Sequence, residues 1–111
     1  MPAEQQERQF KRSLSALADP YRRQLLLALL DHNPQADDDD RDPLNIVEGD
    51  EEPEVLETEL VHAHLPKLAD MEYITWDRTE KTTSRGPKWE QIAPLLELLH
   101  ENRDELPEGW L

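Results

Sequence analysis

The chain has no cysteine, so a disulfide framework and a thiolate metal site are both excluded. It has only 3 glycines, and none falls in a phosphate-cradling loop. No apolar run approaches the roughly 20 residues that a membrane span needs. The opening MPAEQQERQFKR lacks the apolar stretch of a secretory signal, so a cytoplasmic location is the expectation. Lysine is also sparse. Most of the 12 basic residues are arginines, and they stand against 26 acidic ones for a formal net charge of -14. No Ser-His-Asp grouping with a supporting motif is present, and an enzyme is not expected.

What is present is unevenly distributed. Arg8, Lys11, Arg12, Arg22 and Arg23 face only Asp19 between residues 8 and 23. Residues 31–60 hold carboxylates with Arg41 as their sole cation, including the run ADDDDRD. Between 72 and 89, Arg78, Lys81, Arg85 and Lys88 outnumber Glu72, Asp77 and Glu80. Two locally basic islands therefore flank an acidic stretch. The acidic stretch reads either as a disordered segment or as a solvation shell for a salt-rich cell. A calcium loop at DDDDRD is the sharper alternative, and it lacks the glycine and terminal glutamate that such loops need.

At 111 residues, one domain with one core is expected over 1–111. Phe10, Leu14 and Leu17 recur at helical spacing. Asp19-Pro20 ends that helix and starts the next, with Asp19 as N-cap and Pro20 at its first position. YRRQLLLALLDH is apolar on more than one face, which predicts a central buried helix ending at Asn33-Pro34. Residues 34–53 are expected as an acidic loop with a short helix around Leu44, Ile46 and Val47. From Val55 onward the spacing predicts a long amphipathic helix over 54–71, bent where Pro66 interrupts it. YITWD alternates with a two-residue period and TTSR can return beside it, a β-hairpin within 72–86. Ile92, Leu95, Leu96 and Leu99 mark a last helix over 88–104, with Pro94 expected in about its first turn. Trp76, Trp89 and Trp110 read as packing residues, Trp89 anchoring the hairpin on that helix and the PEGWL tail folding back.

The fold class is therefore mainly α with a short β-hairpin, in the order of a winged helix-turn-helix. Particular strings strengthen this. LADPYRRQLLLALL resembles the opening of the ArsR-like winged helix regulators, and VHAHLPKLADMEYITWDR resembles their recognition helix and first wing strand. HAHLPKL and DELPEGWL are similar to small haloarchaeal members of that group. The resemblance spans about 14–34 and 54–111. It implies a dimeric regulator binding duplex DNA in a high-salt archaeon. It also places base-reading residues at Thr58, Glu59, His62 and Ala63, with Lys67 on the same helix.

Those residues are poor in the arginine and asparagine that usually read grooves, so a solvent- or protein-facing helix stands as the alternative. Arg78, Lys81, Arg85 and Lys88 read as phosphate contacts of a wing, or as the polar surface of an ordinary hairpin. Arg22 and Arg23 either add backbone contacts or pair with nearby carboxylates. The dimer surface is expected on the N- and C-terminal helices, through Phe10, Leu14, Leu95, Leu98 and Leu99. A module that has lost DNA binding and offers its acidic segment to a protein partner is the competing function. No cofactor is expected. No metal is expected either, since His62 and His64 lie two apart and point to opposite sides of a helix, and His64 reads as a bonded core histidine.

Overall fold

A computed structural model describes residues 3–31, 47 and 49–110 of the chain. Helix α1 spans Ala3–Leu17 and α2 spans Pro20–Asp31. One helical run then covers 53–70 in three parts: α3 (Pro53–Glu59), a π-helical turn (Leu60–His64) and α4 (Leu65–Asp70). Strands β1 (Ile74–Asp77) and β2 (Thr82–Arg85) form an antiparallel hairpin, with Ile74 opposite Arg85 and Asp77 opposite Thr82. Helix α5 (Trp89–Glu101) and a 3-10 turn (Arg103–Glu105) complete the order. The molecule is thus mainly helical with one two-stranded hairpin. The loop and short helix expected over 34–53 lie largely outside the described residues; of their apolar residues only Val47 is described, and it is buried.

The core forms where the helices converge. Leu25, Leu26 and Leu29 of α2 are buried against Ala16 and Leu17 of α1, Leu60, Leu65 and Leu68 of the 53–70 run, and Ile92 and Leu96 of α5. This matches the expectation that α2 is the central helix. The stripe expected on α1 divides instead. Leu17 is buried, but Phe10 and Leu14 are 53% and 47% exposed, and Ser13 and Ala16 take the inward positions. Ser13 is fixed there by polar bonds: its Oγ donates to the Gln9 carbonyl at 3.1 Å and accepts from the Tyr73 hydroxyl at 3.3 Å.

The helix junctions follow local chemistry. Asp19 caps α2 as expected, its Oδ1 accepting from the Tyr21 N–H at 2.8 Å and the Arg22 N–H at 3.4 Å. Pro66 offers no N–H to the His62 carbonyl, and its ring crowds that carbonyl. The preceding turn widens rather than breaking, and the Leu65 N–H reaches back five residues to Leu60 O. The run stops in a Schellman arrangement, with Tyr73 N–H on Leu68 O at 3.2 Å and Glu72 N–H on Ala69 O at 3.0 Å. Glu72 occupies the left-handed position (φ 65) where glycine is usual. Pro94 lies deeper in α5 than the first turn, where the Glu90 carbonyl loses its partner. Both residues are exposed, so water can replace that bond.

The hairpin leaves the helical run at a tight backbone crossing. A Cβ on Gly86 would lie 2.5 Å from Glu72 O and 2.8 Å from the Ile74 backbone, so only glycine fits. Gly86 N–H bonds to Tyr73 O at 2.9 Å and Lys88 N–H to Glu72 O at 2.8 Å, closing the hairpin root. Among the described residues, no helix is long and apolar enough to cross a membrane.

Candidate nucleic-acid interface

The outward face of the 53–70 run carries Thr58, His62, Ala63 and Lys67, all exposed. Leu56, Leu60, His64, Leu65 and Leu68 turn inward, so the expected division of faces holds through the π turn. Two of the four residues expected to read bases are constrained. Thr58 Oγ1 donates to the Glu54 carbonyl at 2.9 Å, the usual back-bond of a helical threonine. Glu59 is only partly exposed and turns toward the protein. Its pKa is raised, first by desolvation, then by the Glu51 carboxylate and a hydrogen bond with it, and by Asp19. A carboxyl held by Glu51 is poorly placed to accept from a cytosine amino group. The Lys67 ammonium makes no ion pair or hydrogen bond among the described residues.

The hairpin separates its cations into two pairs. At its tip, Arg78 and Lys81 are exposed. Asp77 Oδ1 accepts from the Thr79 and Glu80 N–H groups at 3.0 Å each, and Lys81 adopts φ 57 to complete the turn. The Arg78 guanidinium lies over the Trp76 ring, 4.5 Å from its centroid, which holds its planar face without using its N–H donors. At the root, Arg85 donates from Nε to Leu29 O at 3.0 Å and from Nη2 to Leu30 O at 2.9 Å. It thereby caps the C-terminus of α2, where orphan carbonyls and the helix dipole favour a cation. Its guanidinium also sits 5.1 Å from the Trp89 ring centroid, and buried Trp89 joins hairpin to α5 as the sequence suggested. Lys88 pairs with Glu72 at 3.0 Å.

Arg22 and Arg23, the other two cations assigned to a DNA backbone, face inward. All three guanidinium nitrogens of Arg22 are engaged: Nε with Ala16 O at 2.9 Å, Nη2 with Ser15 O at 3.1 Å and Nη1 with His64 Nδ1 at 3.1 Å. Arg23 is only 8% exposed. It donates to Trp110 O at 3.0 Å and Leu17 O at 2.9 Å, and lies 4.2 Å from the Trp110 ring centroid. Burial lowers its pKa from the ordinary arginine value, partly offset by Asp19. Neither expected alternative describes these residues. Their partners are the His64 ring, the folded-back tail and the carbonyls that end α1, where regular helical donors run out and only Ser15 O keeps a backbone bond, from the Ala18 N–H at 3.3 Å.

The surface expected for a second copy is open where α1 and α5 diverge. A groove of about 300 Å³ there is lined by Phe10, Ser13, Gln91, Pro94, Leu95 and Leu98. Leu98 is 57% exposed, Leu14 is exposed beside Phe10, and Leu95 and Leu99 are half-buried against the core.

One cluster escaped sequence reasoning. Tyr21 OH donates to Glu51 Oε1 at 3.0 Å, and its ring meets the His64 ring edge-on with centroids 5.7 Å apart. Asp19, Tyr21, Asp50, Glu51 and Glu59 border one cleft between the start of α2 and the 53–70 run. The hint available beforehand was that Asp19 read as a cap and His64 as an inward histidine, each on its own. Spacing alone could not bring them together. Among the described residues, no group of three or more His, Asp or Glu side chains could hold a metal. No protein-family model, no curated protein and no solved structure matches the chain.

Proposed function

We propose that this chain is a winged helix-turn-helix transcription regulator of a halophilic archaeon, binding duplex DNA as a homodimer. In this reading α2 and the 53–70 run are the two helices of the motif, and the hairpin is the wing. The supporting observation is the hairpin tip: Arg78 and Lys81 stand exposed on the turn of a hairpin that directly follows a helix whose face of His62, Ala63 and Lys67 is uncovered. An overall charge of -14 does not oppose this in brine. At 1 M salt the Debye length is roughly 3 Å, so distant carboxylates hardly reach a phosphate and only cations in contact count. The α1/α5 groove, with Phe10, Leu14 and Leu98 exposed, supports pairing of two copies, which would set the spacing of two half-sites.

A second reading has its own observation. Arg22, Arg23, Arg85 and Lys88 are all occupied within the chain, and the acidic residues at the start of the 53–70 run adjoin the helix that would enter a groove. That arrangement favours a protein-interaction module of the same fold.

Fluorescence anisotropy with duplex DNA in molar KCl separates the two. Binding that falls about tenfold or more in Arg78→Ala/Lys81→Ala, with an unchanged melting curve, upholds the regulator. Intact DNA binding in that variant removes the wing from the interface. Recovery of one stoichiometric protein partner and no DNA favours the second reading. Light scattering checks the dimer: Leu98→Glu is expected to convert it to monomer.

A further inference from the structure

His64 is the one histidine among the described residues that is buried, at 8% exposure. It sits in the π-helical turn of the 53–70 run and faces α2. Its two ring nitrogens have different partners. Nδ1 lies 3.1 Å from Arg22 Nη1, and Nε2 lies 3.6 Å from Asp19 Oδ1. A guanidinium only donates, so Nδ1 must accept, which puts the single proton of the neutral ring on Nε2, facing Asp19. The pairing works only while the imidazole is neutral. A second proton would set two donors against each other at the Arg22 contact.

We propose that His64 is a proton-operated latch: neutral, it ties the 53–70 run to the start of α2 through Arg22; protonated, it releases that contact. The groups facing it come from each neighbouring element. Arg22 opposes the charged ring from α2. Asp19, capping α2, and Glu51, preceding α3, favour it, and Tyr21 presents a ring edge. The net direction is set by burial, which comes first in holding the imidazole pKa below its ordinary value, with Arg22 acting the same way.

Protonation does more than break one bond. Arg22 stays anchored by Ser15 O and Ala16 O, so the imidazolium and not the guanidinium must move. The nearest carboxylate is Asp19, whose Oδ1 already accepts from the Tyr21 and Arg22 N–H groups. Drawing Asp19 toward the ring weakens the α2 cap as the Arg22 contact is lost. The turn affected already lacks regular α-helical bonding beside Pro66, so its own backbone resists the change least there. The regulatory consequence, weaker DNA binding in acid, rests on the regulator reading above. The latch itself does not.

The test uses the full chain in molar KCl. Long-range ¹H–¹⁵N spectra of the histidine side chains report tautomer and titration, and amide exchange at Leu60 to Leu65 reports the turn. The expected result is an Nε2–H tautomer at neutral pH and a titration midpoint below the ordinary imidazole value. Between about pH 7.5 and about pH 5, exchange protection of those amides, corrected for intrinsic rates, should fall about tenfold. In His64→Gln, whose carboxamide oxygen can accept from Arg22 at every pH, protection should stay level. An Nδ1–H tautomer, an equal fall in His64→Gln, protection unchanged as the ring titrates, or no titration before global unfolding would each overturn the latch. Should His64→Gln not fold, Arg22→Gln serves instead: the His64 midpoint should rise toward the ordinary imidazole value, and an unmoved midpoint overturns the proposal. Absence of DNA binding at either pH counts against the regulator reading alone, since the exchange data judge the latch.

Discussion

The tip and the root of the hairpin carry the same kind of residue and use it in opposite ways. Arg78 and Lys81 project into solvent, whereas Arg85 and Lys88 are held by the Leu29 and Leu30 carbonyls and by Glu72. The difference lies in what each pair can reach. The root crosses the C-terminal end of α2, where helices run out of backbone donors, and the Arg85 guanidinium bonds two of its carbonyls at once. Among the described residues, no hydrogen bond joins the Arg78 or Lys81 side chain to a helix end. Arg12, Arg22 and Arg23 repeat the root's behaviour, bonding Met71 O, Ser15 and Ala16 O, and Leu17 O respectively. In this acidic chain, most of the described arginines finish helices, and few cations remain for a polyanion.

The harshest way to break the contrast is Gly86→Ala. The added Cβ would strike Glu72 O and the Ile74 backbone, forcing root and tip apart from the helical run together. A loss of about 3 kcal/mol is expected, read as a lower midpoint in denaturant unfolding. Arg85→Met removes only the root's grip. It strands two helix-end carbonyls near the surface, and unfolding should show a loss of about 1 kcal/mol with the hairpin still formed by NMR. Acid should produce a smaller and reversible change. His64 titrates lower in the folded chain than in the unfolded one, so the unfolded state takes up the proton more readily. Its contribution is complete above about pH 6.5 and declines as pH falls below that value, which thermal melts across the range will show. Arg78→Ala/Lys81→Ala should do least to stability, within about 0.5 kcal/mol, because these side chains serve no helix end. A large drop in its melting temperature would mean that tip and root do the same work after all.

Much of the architecture was legible in advance because local rules govern it. Asp19-Pro20 dictated a cap and a first turn, the spacing from Leu56 to Leu68 dictated an inward face, and the alternation in YITWD dictated a strand. Pro66 was read as a bend and proved to be a widened turn, since proline demands relief of one carbonyl but does not say how the neighbours supply it. Phe10 and Leu14 shared a stripe with Leu17, yet only Leu17 reached the core, because the inward face of α1 runs through Gln9, Ser13 and Ala16, rotated one position from that stripe. The site was less legible. Thr58, His62, Ala63 and Lys67 are exposed as read, but Glu59 leans on Glu51, and four of the six cations assigned to phosphates have partners inside the chain.

By itself the sequence determined where helices start and stop, which faces are apolar and where charge accumulates, since each depends on neighbours within a few residues. Only the tertiary structure decided what each charge faces. Arg85 lies 56 positions from Leu29 and His64 lies 42 from Arg22. Hydrogen bonds act over about 3 Å, and no periodicity along a chain encodes which distant carbonyl or ring will arrive within that reach.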